Sequence, residues 1–224
     1  MEVYINIGFL LVSLVSGLTV YLQGRTPLYL RLFPVFLFVS GIVQLIAISL
    51  AYSQKSNIAI YNFNSVFEFS FFLFVLREII VNKNAKKTAL IIMWIYPVFA
   101  SFNIIFIQKI NNWNSVSYSL GSLFVVALSV YYFFELFKLP NSMNLAKEPP
   151  FWLCSGLLFF YCCSFPFFGL INFMRNMPLV ILQNLGSILT FLNILLHLSF
   201  TIAFLCRIRI RQPVLWFYDY FLMH

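Results

Sequence analysis

The chain has 224 residues, of which 62% are hydrophobic and only 9% are charged, and its formal net charge is +8. Ordinary soluble domains carry about 25% charged residues, so this composition excludes a soluble fold that would have to solvate its own surface. The positive charges are spread over many short loops and form no basic stripe, so they indicate loops held in the cytoplasm and argue against a nucleic-acid partner.

Seven apolar stretches are long enough to cross the hydrocarbon layer of a bilayer, which requires about 20 residues in a helix. The sequence predicts these spans at residues 4–23, 29–52, 58–81, 88–108, 114–137, 150–173 and 183–205. The first positive charge, Arg25, follows the first stretch, so we interpret that stretch as a retained helix and not as a cleaved signal peptide. The predicted fold is therefore all-α: a seven-helix transmembrane bundle over residues 1–206, followed by a tail at 207–224.

Lysine and arginine divide unevenly between the two predicted sides of the membrane, with 11 of the 14 on one side and 3 on the other. Short loops rich in these residues are retained in the cytoplasm. The sequence therefore predicts a periplasmic N-terminus and a cytoplasmic C-terminus. The basic side comprises Arg25, Arg31, Arg77, Lys83, Lys86, Lys87, Lys138, Lys147, Arg207, Arg209 and Arg211, and the other side comprises Lys55, Lys109 and Arg175.

The tail is basic and then aromatic, running from Arg207 through Trp216 to Phe221. We expect its arginines at anionic headgroups and its aromatic side chains in the membrane interface. The alternative is a docking segment for a cytoplasmic signalling partner.

A weak internal repeat is visible in the sequence. Helices 3 and 7 align without gaps at an offset of 122, which pairs Asn62 with Asn184, and helices 1 and 5 align at an offset of 113, which pairs Gly8 with Gly121. Two parallel three-helix units joined by helix 4 would explain both alignments, and parallel repeats of this kind occur in transporters. Chance similarity in a biased composition is the alternative.

Glu68 is the one acidic residue deep within a predicted span, about ten residues into helix 3. Asn64 and Tyr61 lie one and two turns before it, at spacings of 4 and 3 residues that put all three on one helix face. One interpretation is a ligand contact or a proton-carrying group. The other is a hydrogen-bonded glutamate that holds helices together.

A second polar stripe runs along helix 7, where polar and small residues recur at intervals of 4, 3, 4 and 4. Its members are Gly186, Thr190, Asn193, His197 and Thr201. Because helices 3 and 7 run in the same direction, Asn193 is expected near the depth of Glu68, and His197 about 6 Å deeper. A Glu68–His197 or Glu68–Asn193 contact is the resulting hypothesis, although for His197 we favour a hydrogen-bonded core histidine.

Other polar residues, Gln44 among them, gather toward the outer half of the spans, while the inner half is drier. This asymmetry predicts a polar pocket that opens outward, lined by Gln44 and by the polar faces of helices 3 and 7. The alternative is that Asn and Ser mark helix ends. With two histidines, no HExxH motif and no glycine-rich phosphate loop, the sequence indicates no metal, no cofactor and no enzyme.

Three runs carry a resemblance to a known family: residues 61–69, YNFNSVFEF; residues 131–136, YYFFEL; and residues 150–156, PFWLCSG. Through them the chain resembles a family of small bacterial seven-helix integral membrane proteins, and the similarity covers most of the chain. The resemblance implies a location in the bacterial inner membrane. It implies no activity and no catalytic residues.

The sequence therefore predicts a non-enzymatic, sensor-like or receptor-like component with an outward-facing pocket for a small or lipidic ligand. Its partners would be the lipid bilayer and a cytoplasmic signalling protein at the tail. A small-solute or proton-coupled transporter is the first alternative, and a structural subunit of a membrane complex is the second.

Overall fold

A computed structural model of the chain describes residues 2–22, 24, 26–138, 144–171 and 178–206. Within this part, seven helices are long and apolar enough to span a membrane, which confirms the predicted all-α fold and its seven spans. They are α1 (Glu2–Leu18), α2 (Leu28–Tyr52), α3 (Ile58–Ile79), α4 (Lys83–Phe102), α5 (Ser115–Leu136), α6 (Pro149–Leu170) and α7 (Leu179–Cys206). A 3-10 turn at Thr19–Leu22 continues α1, and a π-helical turn at Asn103–Ile107 continues α4. The predicted tail at 207–224 lies outside the described residues, as do Arg25 and Arg175.

The largest boundary error concerns the start of α4, predicted at residue 88 and observed at Lys83. Asn82 caps this helix, because its side-chain oxygen accepts hydrogen bonds from the backbone N–H groups of Asn84 at 2.9 Å and Ala85 at 3.1 Å. The first turn of α4 is basic and polar, so a search for apolar stretches passes over it. α7 also begins earlier than predicted, at Leu179 and not at residue 183.

Six helices form a closed ring in the order α1, α2, α3, α5, α6 and α7, and α4 packs outside this ring against α3 and α5. α1 and α7 run parallel, because Ser13 contacts His197 and Gly17 lies against Phe204 four and seven residues further along. The beginning of α1 and the end of α7 therefore lie at opposite ends of the bundle. We call them the N-terminal end and the C-terminal end of the bundle.

The described basic residues are concentrated at the C-terminal end of the bundle. Seven of the nine lie there, and the other two lie at the N-terminal end. The larger group is Arg31, Arg77, Lys83, Lys86, Lys87, Lys138 and Lys147, and the smaller group is Lys55 and Lys109.

Three phenylalanines close the centre of the ring, and we call them the aromatic floor: Phe33 of α2, Phe72 of α3 and Phe200 of α7. Their ring centroids lie 4.8 to 6.4 Å apart, and each side chain is at most 1% exposed. Among the described residues, the continuous apolar core includes no residue of α2 after Leu37 and no residue of α7 before Leu192. Along α2 and α7, the apolar core therefore fills the C-terminal half of the bundle.

Glu135, near the end of α5, fixes the connection between α3 and α4. Its two carboxylate oxygens accept hydrogen bonds from the backbone N–H groups of Val81 at 3.0 Å and Asn82 at 2.8 Å. Asn82 is also the residue that caps α4. The carboxylate thus holds three helix ends together at the C-terminal end of the bundle.

Candidate functional site

A carboxyl–phenol pair lies directly above the aromatic floor, on its N-terminal side. Glu68 is one helical turn from Phe72, and its Oε1 accepts a hydrogen bond of 2.7 Å from the hydroxyl of Tyr161 on α6. The Tyr161 ring is fully buried and contacts the Phe72 ring at 6.0 Å. Glu68 and Tyr161 lie near the middle of their helices, so the pair sits near mid-depth of the bundle.

Two further tyrosines surround this pair. Tyr96 of α4 and Tyr118 of α5 are close enough to interact electrostatically with the Glu68 carboxyl. All three tyrosine rings contact Phe69, at centroid distances of 5.1 to 5.7 Å. Tyrosines from three helices therefore lie around Glu68. Among the described residues Tyr161 is the one bonded to it, while the Tyr96 hydroxyl donates to the Ser117 carbonyl at 3.3 Å.

Polar side chains continue from Glu68 toward the N-terminal end of the bundle. Asn64 lies one turn above Glu68 on the same face. Its Oδ1 atom is shielded from solvent and has no hydrogen-bond partner among the described residues. Asn193 lies seven residues, or two turns, above Phe200 on α7, and its side chain donates to the Leu189 carbonyl at 2.9 Å. Helical spacing places it about 10 Å above the aromatic floor, facing the same way as Phe200.

Gln44 and Tyr61 are aligned by helical spacing with the phenylalanines of the aromatic floor. Gln44 lies eleven residues, or three turns, above Phe33 on α2, and Tyr61 lies eleven residues above Phe72 on α3, so both are about 16 Å above the floor. Both side chains are half-buried. Helical spacing therefore predicts that five of the site residues face the interior of the ring: Gln44, Tyr61, Asn64, Glu68 and Asn193.

The other two predicted site residues face α1. His197 lies 3.2 Å from the Ser13 hydroxyl oxygen, measured from its Nδ1 atom, and that hydroxyl donates its own hydrogen to the Leu10 carbonyl at 2.8 Å. The Ser13 oxygen must then accept, so His197 donates from Nδ1. Thr190 lies two turns above His197 on the same side of α7.

The structure thus gives Glu68 and His197 different partners, in place of the predicted contact between Glu68 and either His197 or Asn193. α3 and α7 approach each other through the phenyl rings of the aromatic floor. The hydrogen-bond donor to Glu68 comes from α6 instead, as the Tyr161 hydroxyl. The bond to Ser13 agrees with the interpretation of His197 as a hydrogen-bonded core histidine.

Sequence reasoning missed Tyr161, Tyr96 and Tyr118. The usual expectation for tyrosine in a membrane helix is a place at the headgroup level. Tyr161, however, lies twelve residues into a 22-residue helix, and this depth was the available signal.

A separate polar network fixes the N-terminal end of the bundle around the π-helical turn. The Asn103 side chain donates to Gln108, Asn114 and Ser117, and the Asn62 side chain bonds the backbone of the loop that precedes α5. π-Helical turns are common at functional sites. Here the turn is held by side-chain amides, and its role in the described part of the chain is to anchor α4 to α5.

An apolar groove of about 450 Å³ lies on the outer face of α4 between Trp94 and Phe102. Its lining side chains are Trp94, Ile95, Val98, Phe99 and Phe102. In a bilayer such a surface faces acyl chains, so it identifies no specific ligand.

Comparison of the chain with protein families, with curated proteins and with solved structures gives no match.

Proposed function

We propose that this protein is a receptor-like or sensor-like membrane protein that binds a small or lipidic ligand in the interior of its helix ring. The observation that carries this proposal is the Glu68–Tyr161 pair, a carboxyl at mid-depth above a closed aromatic floor. Ionisable groups inside membrane helices are costly and usually mark functional sites. Asn64 is half-buried and lies between this pair and the N-terminal end of the bundle.

The orientation forms part of this proposal. Positive residues favour the cytoplasmic side, and seven described basic residues at the C-terminal end against two at the other end support an N-terminus outside and a C-terminus inside. The pocket would then open outward, to the periplasm of a bacterial inner membrane. Any signal would pass to a separate cytoplasmic protein, with the tail at 207–224 as its docking segment.

Reporter fusions test the orientation. We expect a reporter that is active only outside the cytoplasm to work at the N-terminus and to fail at the C-terminus, and a cytoplasmic reporter to give the reverse. Activity of one reporter at both termini would contradict the seven-span orientation.

Cysteine accessibility tests the pocket. In a variant without the four native cysteines, Asn64→Cys should react with a water-soluble, membrane-impermeant thiol reagent added from outside. Phe63→Cys is the matched control, because Phe63 is 53% exposed on the lipid-facing side of the same helix turn. Leu73→Cys is the buried control, at 0% exposure.

The expected result is modification at position 64 alone. Equal protection at positions 64 and 73 would mean that the ring interior is closed, and the proposed pocket would be wrong. Equal reaction at positions 63 and 64 would mean that the reagent reaches the lipid face, and would also contradict a defined pocket.

A small-solute or proton-coupled transporter is the second candidate, favoured by the order of the helices in the ring. The contacts α1–α2, α2–α3 and α3–α5 have counterparts in α5–α6, α6–α7 and α7–α1. This is the arrangement that two parallel three-helix units joined by α4 would produce. Uptake into proteoliposomes that is lost in Glu68→Gln would select this candidate over the receptor.

A further inference from the structure

The Glu68 carboxyl has no positively charged partner among the described residues. Tyr161 is its hydrogen-bond donor there, through a neutral hydroxyl. The nearest basic residue along α3 is Arg77, nine residues or about 13 Å further along the helix, and its guanidinium pairs with Glu78. The imidazole of His197 is directed at Ser13.

A hydrogen-bond acceptor without a partner among the described residues lies one turn above Glu68. The Oδ1 atom of Asn64 is shielded from solvent and has no partner among the described residues. Residues four apart on a helix lie about 6 Å from each other. Glu68 and Asn64 therefore place two acceptors on one face of α3, and a ligand that satisfies both has to bring at least two hydrogen-bond donors, as an ammonium group does.

The surroundings of Glu68 are aromatic. The Tyr161 hydroxyl donates to the Glu68 carboxyl, and the Tyr161 ring contacts the rings of Phe69 and Phe72. Aromatic rings attract nearby cations. The same rings provide apolar area for a hydrocarbon group. An anionic ligand would meet the Glu68 carboxyl without a compensating positive charge.

We infer that the ligand is a protonated primary amine that carries an apolar group, with its ammonium between Glu68 and Asn64. This inference rests on the proposed ligand-binding function and specifies its chemistry. Glu68 supplies the opposite charge, Asn64 accepts a second N–H, and Phe72 contacts the apolar part. A primary amine fits better than a quaternary one because both acceptors need a donor hydrogen.

The test uses the full chain in nanodiscs of zwitterionic lipid and three probes of equal chain length: n-hexylamine, 1-hexanol and hexanoate. Binding is measured from the shift of the thermal-unfolding midpoint with probe concentration. We expect the amine to bind at least about tenfold more tightly than the alcohol, and hexanoate to produce no shift. Glu68→Gln should weaken amine binding about ten- to hundred-fold and leave alcohol binding unchanged.

Two further variants keep the test valid if Glu68→Gln does not fold. Asn64→Leu should weaken amine binding several-fold and leave alcohol binding unchanged. Tyr161→Phe should preserve or strengthen amine binding, because it removes the hydroxyl that competes for Glu68. A merely structural role for Glu68 would instead make Tyr161→Phe the more damaging change.

The outcomes separate this inference from the proposed function. If the amine and the alcohol bind equally to the wild-type protein and Asn64→Leu changes neither, the amine class is wrong, while a reactive Asn64→Cys would still support the pocket. If the amine shifts the thermal-unfolding midpoint equally in the wild-type protein and in Glu68→Gln, the amine acts through the bilayer and the inference fails. If no probe binds and Asn64→Cys is unreactive, the proposed function fails as well.

Discussion

Replacing Asn62 by leucine is expected to lower the free energy of unfolding by about 3 kcal/mol. The Asn62 side chain is 1% exposed and makes three hydrogen bonds to backbone groups. Its amide donates to the carbonyls of Ile110 at 3.2 Å and Asn112 at 2.8 Å, and its oxygen accepts from the Asn114 N–H at 3.0 Å. Leucine would remove all three hydrogen bonds to the loop that precedes α5, where Asn114 is 2% exposed, and each bond contributes about 1 kcal/mol.

Asn184→Leu is the matched control, because the predicted repeat pairs Asn184 with Asn62. The Asn184 side chain is exposed at the N-terminal end of α7, so the same substitution should change stability by less than about 0.5 kcal/mol. The measurement is the thermal-unfolding midpoint of each purified variant in nanodiscs. Equal effects of the two substitutions would show that the loop anchored by Asn62 contributes little to stability.

Replacing Gly121 by alanine is expected to lower the free energy of unfolding by about 2 kcal/mol. A Cβ atom at Gly121 would lie 2.6 Å from Cγ of Phe69, and that ring is fully buried between Tyr96, Tyr118 and Tyr161. Any shift of the Phe69 ring would therefore press on these tyrosine rings. Overpacking of this kind costs more than the roughly 1 kcal/mol that alanine gains over glycine in a helix.

Gly8→Ala provides the comparison, again at the position that the repeat pairs with Gly121. A Cβ atom at Gly8 meets nothing within 4 Å, so this variant should be neutral or slightly more stable. Both variants are measured by unfolding in nanodiscs, and Gly121→Ala should also weaken ligand binding at Glu68. If Gly121→Ala were as stable as Gly8→Ala, α5 would not be packed tightly against Phe69.

The seven spans could be predicted because a helix in lipid must satisfy its own backbone hydrogen bonds and keep apolar side chains for the length of the bilayer. Glu68 could be singled out for the same reason, since a carboxyl at that depth is exceptional. That Gln44, Asn64 and Asn193 face the ring interior stays a prediction from helical spacing, taken from the positions of Phe33, Phe72 and Phe200.

The partner of Glu68 could not be predicted, because spacing within one helix contains no information on which helix lies opposite. The ring brings α6 to this side of α3, and Tyr161 arrives there through tertiary packing. His197 was displaced from the expected site for a similar reason, since its side of α7 packs against α1.

At positions that the predicted repeat pairs, identical residue types have different surroundings. Gly121 is packed against Phe69 whereas Gly8 is open, and Asn62 is buried whereas Asn184 is exposed. The order of helix contacts agrees with two parallel units, but these paired positions do not share an environment. The repeat therefore stays a prediction.

The aromatic floor has a mechanical consequence. Phe33 contacts Phe72 on one side and both Phe200 and Phe204 on the other, with Phe204 at 5.5 Å, two residues before α7 ends. Close-packed rings transmit displacement because they have no room to absorb it. A displacement of Tyr161 is therefore expected to move Phe72 and Phe33 and to reach Phe204, so the ring contacts connect the middle of the bundle with the last turn of α7.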